Sequence, residues 1–151
     1  MNLAEKLSAA LCFSKIEGRS QIRVFEVLSK KISDRYLNLN YSDIFDALSA
    51  REKLGSTGIG EGVAIPHCRL EREGPSIAAI VTLDEGIGFE APDQKPVDLL
   101  VFLLVSGEAN QAHLDTLAGL AKVLSVEESR EALRNAVSGE ELRSTLLNSL
   151  S

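Results

Sequence analysis

Apolar residues recur along this chain with two different periods, and the changes of period mark out its elements. Leu7, Ala10 and Leu11 are spaced for a short helix, and residues 12–16 for a short strand. Ile22, Phe25, Leu28 and Ile32 then form a helical stripe behind Ser20 as N-cap. Lys30 and Lys31 stand near its end, where the helix dipole favours cations. Residues 36–40 read as a turn. A second helix is expected to start at Ser42, turn Ile44, Phe45 and Leu48 inward, and stop at Gly55 after Arg51 and Lys53.

The period shortens beyond Gly55. Gly58, Gly60 and Gly62 alternate with other residues, a pattern that bends the backbone and exposes its amides. Val63-Ala64-Ile65 is β-prone and apolar, and Pro66 is expected to end it. A charged turn at 71–75 leads to residues 76–83, almost wholly apolar, which predict a strand buried on both faces. Gly86, Gly88, Pro92 and Pro96 punctuate a long loop with a short strand near 87–89. Residues 97–105 are the most apolar run, broken only by Asp98, and predict the central strand. Three helices follow. The first covers 110–124, with Leu114, Leu117, Leu120, Ala121 and Leu124 as its stripe. The others follow capping boxes at Ser125-x-x-Glu128 and Ser138-x-x-Glu141. Helices before, between and after buried strands make one layered α/β or α+β domain over residues 1–151. Strand order is not legible from this pattern.

Composition narrows the function. The net charge of -6 argues against a nucleic-acid binder, which carries a basic footprint. No apolar run approaches the roughly 20 residues of a membrane-spanning helix. The start, MNLAEKLSAALCF, has a faint signal-peptide look. Glu5 and the lack of a cleavage site place it within the domain instead. Cys12 and Cys68 form neither a CxxC pair nor a disulfide framework, so a reducing cytoplasm is expected.

The candidate chemistry lies in residues 51–69, which hold four of the eleven glycines and one of the two histidines. His67, aimed by Pro66 before it, offers a neutral nucleophilic nitrogen at neutral pH. The plain alternative is a hydrogen-bonded, inert histidine at a strand end. His113 falls near a helix start on the face of Leu117 and Leu120. There a neutral imidazole N–H suits a phosphoryl oxygen; the alternative is an ordinary first-turn polar residue. Ser56, Thr57, Gly58 and the following amides are candidates for a phosphate cradle, and Arg51 for a guanidinium clamp. A plain tight loop and a solvated helix end are the alternatives. The run is not a P-loop, since no Gly-Lys-[Ser/Thr] occurs, nor a dinucleotide fingerprint, since it leads into a strand. His67, Cys68 and His113 lack the paired spacing of metal ligands, so neither a metal nor a cofactor is expected. Cys68 reads as a small residue packed after the strand. Asp98 reads as a hydrogen-bonding or edge residue, and Asp93, Asp98, Asp115 and Glu108 give no paired-carboxylate signal.

Residues 52–68, with Ile59-Gly60 and Val63-Ala64-Ile65-Pro66-His67, resemble the phosphorylation-site signature of type-2 EIIA domains. These belong to the bacterial phosphoenolpyruvate-dependent phosphotransferase system, in mannitol, fructose and nitrogen-regulatory forms. The resemblance continues through Pro96-Val97-Asp98-Leu99-Leu100 and His113-Leu114. It implies an α/β domain with a mixed sheet flanked by helices on both sides. It implies that His67 takes a phosphoryl group from a phosphorylated HPr-type carrier and passes it on. His113 would support that group, and Arg51, Ser56 and Thr57 would line its pocket. The implied partners are the carrier and then regulatory target proteins or an EIIB domain, with no nucleic acid and no membrane insertion. Cys68 departs from the glycine common at its position. The run REKLGSTGIG is most similar to the nitrogen-regulatory branch, which is the branch expected. A sugar-specific EIIA of the fructose or mannitol type is the alternative.

Overall fold

A computed structural model describes residues 3–71, 76–106 and 111–150, apart from the side chains of Lys6 and of residues 111–113. In chain order the elements are α1 (Leu3–Leu7), β1 (Leu11–Ile16), α2 (Gln21–Arg35), α3 (Tyr41–Leu54), β2 (Gly58–Gly60), β3 (Val63–Ala64), β4 (His67–Leu70), β5 (Ile77–Ile87), β6 (Val97–Ser106), α4 (Gln111–Leu124), α5 (Glu127–Asn135) and α6 (Gly139–Ser149).

The apolar run at 97–105 does become the central strand. Its neighbours are β5 on one side and, on the other, β3 followed further along by β4. Among the described residues one mixed sheet has the order β1-β5-β6-β3-β2. β1 is parallel to β5, β5 antiparallel to β6, β3 and β4 parallel to β6, and β2 antiparallel to β3.

Successive residues of a strand point to opposite faces, so β5 and β6 supply two cores at once. Ala79, Val81, Leu100, Phe102 and Leu104 meet Phe25, Leu28, Ile32, Ile44 and Leu48 of α2 and α3. Ala78, Ile80, Leu99, Val101 and Leu103 meet Leu120, Leu124, Leu133, Leu142 and Leu146 of α4, α5 and α6. The result is an α/β domain with helices on both faces of the sheet.

Several local expectations change. Ile22 is 65% exposed, and the buried stripe of α2 is Val24, Phe25, Leu28, Ser29 and Ile32. At 3.6 residues per turn Ile22 falls about a quarter-turn off the centre of that stripe. α3 begins at Tyr41 because Asn40, not a later residue, caps it: Asn40 Oδ1 accepts from the Ser42 amide at 2.8 Å. Phe45 is half-buried and stacks on Tyr41. Pro66 does not end the strand path. It lacks an N–H and so interrupts the ladder, but its carbonyl accepts from the Leu103 amide at 2.9 Å and the chain continues as β4. β5 runs on to Ile87 across an irregular register between Thr82 and Ile87, where a loop was expected. Leu114 is 55% exposed and lies off the α4 stripe. Ser125 does not cap α5: its hydroxyl donates to the Lys122 carbonyl at 2.6 Å, and Val126 takes the cap position without a side-chain bond. Ser138 caps α6 as expected, accepting from the Glu141 amide at 3.1 Å. Glu108, Asn110 and most of the 71–75 turn lie outside the described residues. No helix among the described residues is long and apolar enough to cross a membrane.

Candidate functional site

The site is built on the return of the chain from α3 to β6. α3 ends at Leu54, and Arg51 folds back so that Nη1 donates to the Gly55 carbonyl at 2.9 Å. The chain then makes the β2–β3 hairpin, whose open end is closed by the Ile65 amide donating to the Thr57 carbonyl at 3.0 Å. Two residues on, His67 starts β4 opposite Leu103, half-buried. Its Nδ1 lies 2.7 Å from the Ile65 carbonyl oxygen. A carbonyl oxygen only accepts, so Nδ1 carries the proton and the nucleophilic lone pair of the ring is on Nε2.

The glycine run is not the open bed of amides that its sequence suggests. The Thr57 N–H donates to Glu52 Oε2 at 3.0 Å and the Thr57 hydroxyl to Glu52 Oε1 at 2.7 Å. The Ser56 hydroxyl donates to the Phe89 carbonyl at 2.7 Å, and the Gly58 N–H to Ser56 Oγ at 3.0 Å. Gly58 sits so close to the next loop that a Cβ there would lie 2.7 Å from that of Ala91. Thr57 thus stands one hydrogen bond from the segment leading into His67, and the Ser56 and Thr57 hydroxyls and the Thr57 and Gly58 amides are already paired within the protein.

The far end of the hairpin is held just as firmly. Gly60, Glu61 and Gly62 have φ values of 94°, 58° and 76°, a left-handed run that costs energy at Glu61. The Glu61 N–H donates to Asp93 Oδ2 at 2.8 Å, and Arg134 Nη2 donates to the Glu61 carbonyl at 2.5 Å. Arg134 Nε also donates to Asp98 Oδ1 at 2.9 Å, so Asp98 has the hydrogen-bonding role expected of it. The amides of Glu61 and Lys95 hold the Asp93 carboxyl below its ordinary range. Gly62→Ala is expected to destabilise the domain by about 1–3 kcal/mol. Its Cβ would meet Arg134 Nη2 at 2.6 Å in a backbone conformation that alanine resists. An unchanged urea midpoint would show that the turn yields without cost.

The family model described as "Phosphoenolpyruvate-dependent sugar phosphotransferase system, EIIA 2" matches residues 5–149. The chain belongs to this EIIA type-2 family. It is 39% identical over 142 residues to a nitrogen regulatory protein of Pseudomonas aeruginosa, covering 94% of this chain and 92% of that one. The crystal structure of nitrogen regulatory protein IIA-Ntr from Neisseria meningitidis superposes with a TM-score of 0.83 at 40% identity, covering 95% of this chain and 98% of that one. A fructose-specific EIIA component of Haloferax volcanii is 37% identical over 101 residues, 67% of this chain and 66% of that protein. This EIIA domain is thus a member of a family of phosphotransfer proteins.

The candidate His113 and the neighbouring Cys68 fall on separate elements, α4 and β4. The side chain of His113 lies outside the described residues. β6 ends at Ser106, three residues past the partner of His67, and α4 begins at Gln111. Cys68 is 7% exposed and packs into the α2–α3 core, and burial pushes its thiol up to about 12. No group of three or more His, Cys, Asp or Glu side chains placed to hold a metal occurs among the described residues.

The buried thiol sets a pH dependence. Below the ordinary value of 9.0 the thiol is neutral in both states, and its burial is fully stabilising. Between about 9 and about 12 the unfolded chain ionises and the folded chain does not, so stability falls as pH rises. The loss is expected at roughly 1.4 kcal/mol per pH unit across that window. Urea midpoints of wild type and Cys68→Ala at pH 8, 10 and 11 check this. The wild type should lose more stability than the variant, and parallel curves would refute it.

Glu52, Asp93 and Arg134 are the residues that sequence reasoning missed. Glu52 stood at the start of the recognised run but carried no signal of its own, because a carboxylate near a helix end is usually solvated. Arg134 reaches Glu61 across 73 positions, a pairing that no local spacing announces.

Proposed function

We propose that this EIIA domain, formed by the whole chain 1–151, is a phosphoryl relay working in the cytoplasm, with His67 as phosphoryl acceptor. The observation that carries this reading is the 2.7 Å contact from His67 Nδ1 to the Ile65 carbonyl, which presents Nε2 as the nucleophile. The donor is a phosphorylated HPr-type carrier. As Nε2 bonds to phosphorus, the P–N bond to the carrier's imidazole breaks and its electron pair leaves with the carrier nitrogen. The transition state is loose, so orientation and charge stabilisation supply most of the catalysis. Positive charge grows on the His67 ring, and the Ile65 carbonyl stabilises the Nδ1–H that bears it. Arg51, Ser56, Thr57 and Gly58 line the phosphoryl group, and His113 supports it. Incubation with the phosphorylated carrier should add one acid-labile, alkali-stable phosphate that maps to residue 67. A phosphate mapped elsewhere would end the reading.

The output is regulatory, acting through protein partners in nitrogen control; the nitrogen regulatory relatives support this. A second reading, a sugar-specific EIIA passing its phosphate to an EIIB domain, has the fructose-specific relative in its favour. Rapid onward transfer to a fructose-type EIIB protein would favour the second.

A further inference from the structure

We infer that Arg69 is a further contact for the phosphoryl group, a guanidinium that closes on its oxygens as the group reaches His67. The inference rests on His67 being the acceptor. Strand alternation brings the two side chains together. Cys68 and Leu70 of β4 bury their side chains in the α2–α3 core. His67 and Arg69 therefore stand on the other face of the sheet, beside their β6 partners Leu103 and Val105. Leu103 belongs to the core under α4, α5 and α6, which fixes that face independently. The two side chains leave the strand about 6.6 Å apart, since each residue of a strand rises about 3.3 Å. His67 is half-buried and Arg69 is exposed.

Arg69 is available to an anion in a way that the loop before His67 is not. The Ser56 and Thr57 hydroxyls and the Thr57 and Gly58 amides are committed within the protein. Arg51 has Nη1 on the Gly55 carbonyl. The Arg69 guanidinium makes no hydrogen bond or ion pair among the described residues. All of its N–H donors face water until an anion arrives. Phosphoryl transfer supplies one. The loose transition state spreads negative charge over the equatorial oxygens of the group. A guanidinium presents two parallel N–H donors, which match two of those oxygens. Arginine's stem and head are together about as long as the gap between the two positions on the strand, so the head reaches the group without moving the backbone. No such anion stands on His67 before transfer. The contact therefore forms as the phosphoryl group arrives, and it lowers the barrier more than it tightens docking.

The test compares wild type, Arg69→Gln, Arg69→Lys and Arg23→Gln in phosphoryl uptake from a phosphorylated HPr-type carrier at varied concentration. Circular-dichroism melts confirm that each is folded at the assay temperature. Arg69→Gln is expected to lower kcat roughly tenfold with KM changed less than about twofold. Arg69→Lys keeps the charge but loses the planar fork, and should recover only part of the rate. Arg23 is exposed on α2, which packs on the opposite face of the sheet, so Arg23→Gln removes an equal charge and should transfer like wild type. Nitrogen-15 NMR of the arginine side chains gives a second readout that a merely structural role would not move. The Arg69 Nε–H signal should shift when wild type is phosphorylated. A wild-type kcat in Arg69→Gln would overturn the inference and leave His67 as acceptor. So would a raised KM at wild-type kcat with an unmoved Nε–H signal, which would make Arg69 a docking contact for the carrier. A wild-type chain that takes up no phosphate would remove both.

Discussion

His67→Ala is expected to take up no phosphate from a phosphorylated HPr-type carrier and to remain folded. The loss is total because the bond to phosphorus has no atom left to receive it. The fold survives because His67 is half-buried at the start of β4, while the strand is held by its neighbours. Cys68 and Leu70 bury their side chains in the α2–α3 core, and the backbone of β4 stays paired with β6 from Leu103 to Ser106. The lost Nδ1 bond to Ile65 is worth about 1 kcal/mol. Measured by labelled phosphate and thermal unfolding together, the variant should give zero incorporation with a small shift in midpoint. Uptake that persists would have to be on the other histidine, His113, and would reverse the roles assigned to the two.

Phe102→Ala is expected to cost about 3–5 kcal/mol of stability. Set against a typical total of about 5–15 kcal/mol, that is a large share for one side chain. Phe102 is fully buried on β6 and meets Phe25 of α2 edge-to-face, with ring centroids 5.8 Å apart. Phe25 meets Phe89 in the same way at 6.2 Å. Truncation leaves a cavity under α2 that a pleated central strand cannot close, since its backbone is paired on both sides. The cavity also removes one wall of the cluster holding Phe89, whose carbonyl receives the Ser56 hydroxyl. Urea unfolding should show a lower midpoint at an unchanged slope. A cost below about 1 kcal/mol would mean that the core collapses around the vacancy.

The comparison of sequence with structure divides along one physical line. Features that depend on near neighbours were legible. The Ser20 and Ser138 caps, the β5 and β6 strands and the buried faces of α2 and α3 follow from spacing that the chain carries in a few residues. Where a second local partner competed, the reading failed: Ser125 bonded back to Lys122, and Asn40 capped ahead of Ser42. The glycine run failed for a different reason. Its donors were expected to be open, but the Thr57 and Glu61 amides are paired with Glu52 and Asp93, and the Ser56 hydroxyl with the Phe89 carbonyl.

The sequence by itself determined the family, the position of the glycine loop before His67 and the order of helices and buried strands. Those follow from residue type and short-range order along the chain. Only the tertiary structure decided the strand order, the tautomer of His67, the anchoring of Glu61 by Arg134 and the pairing of Thr57 with Glu52. Each depends on where backbone groups from separate elements come to rest, and that is set by the packing of the whole sheet against its helices.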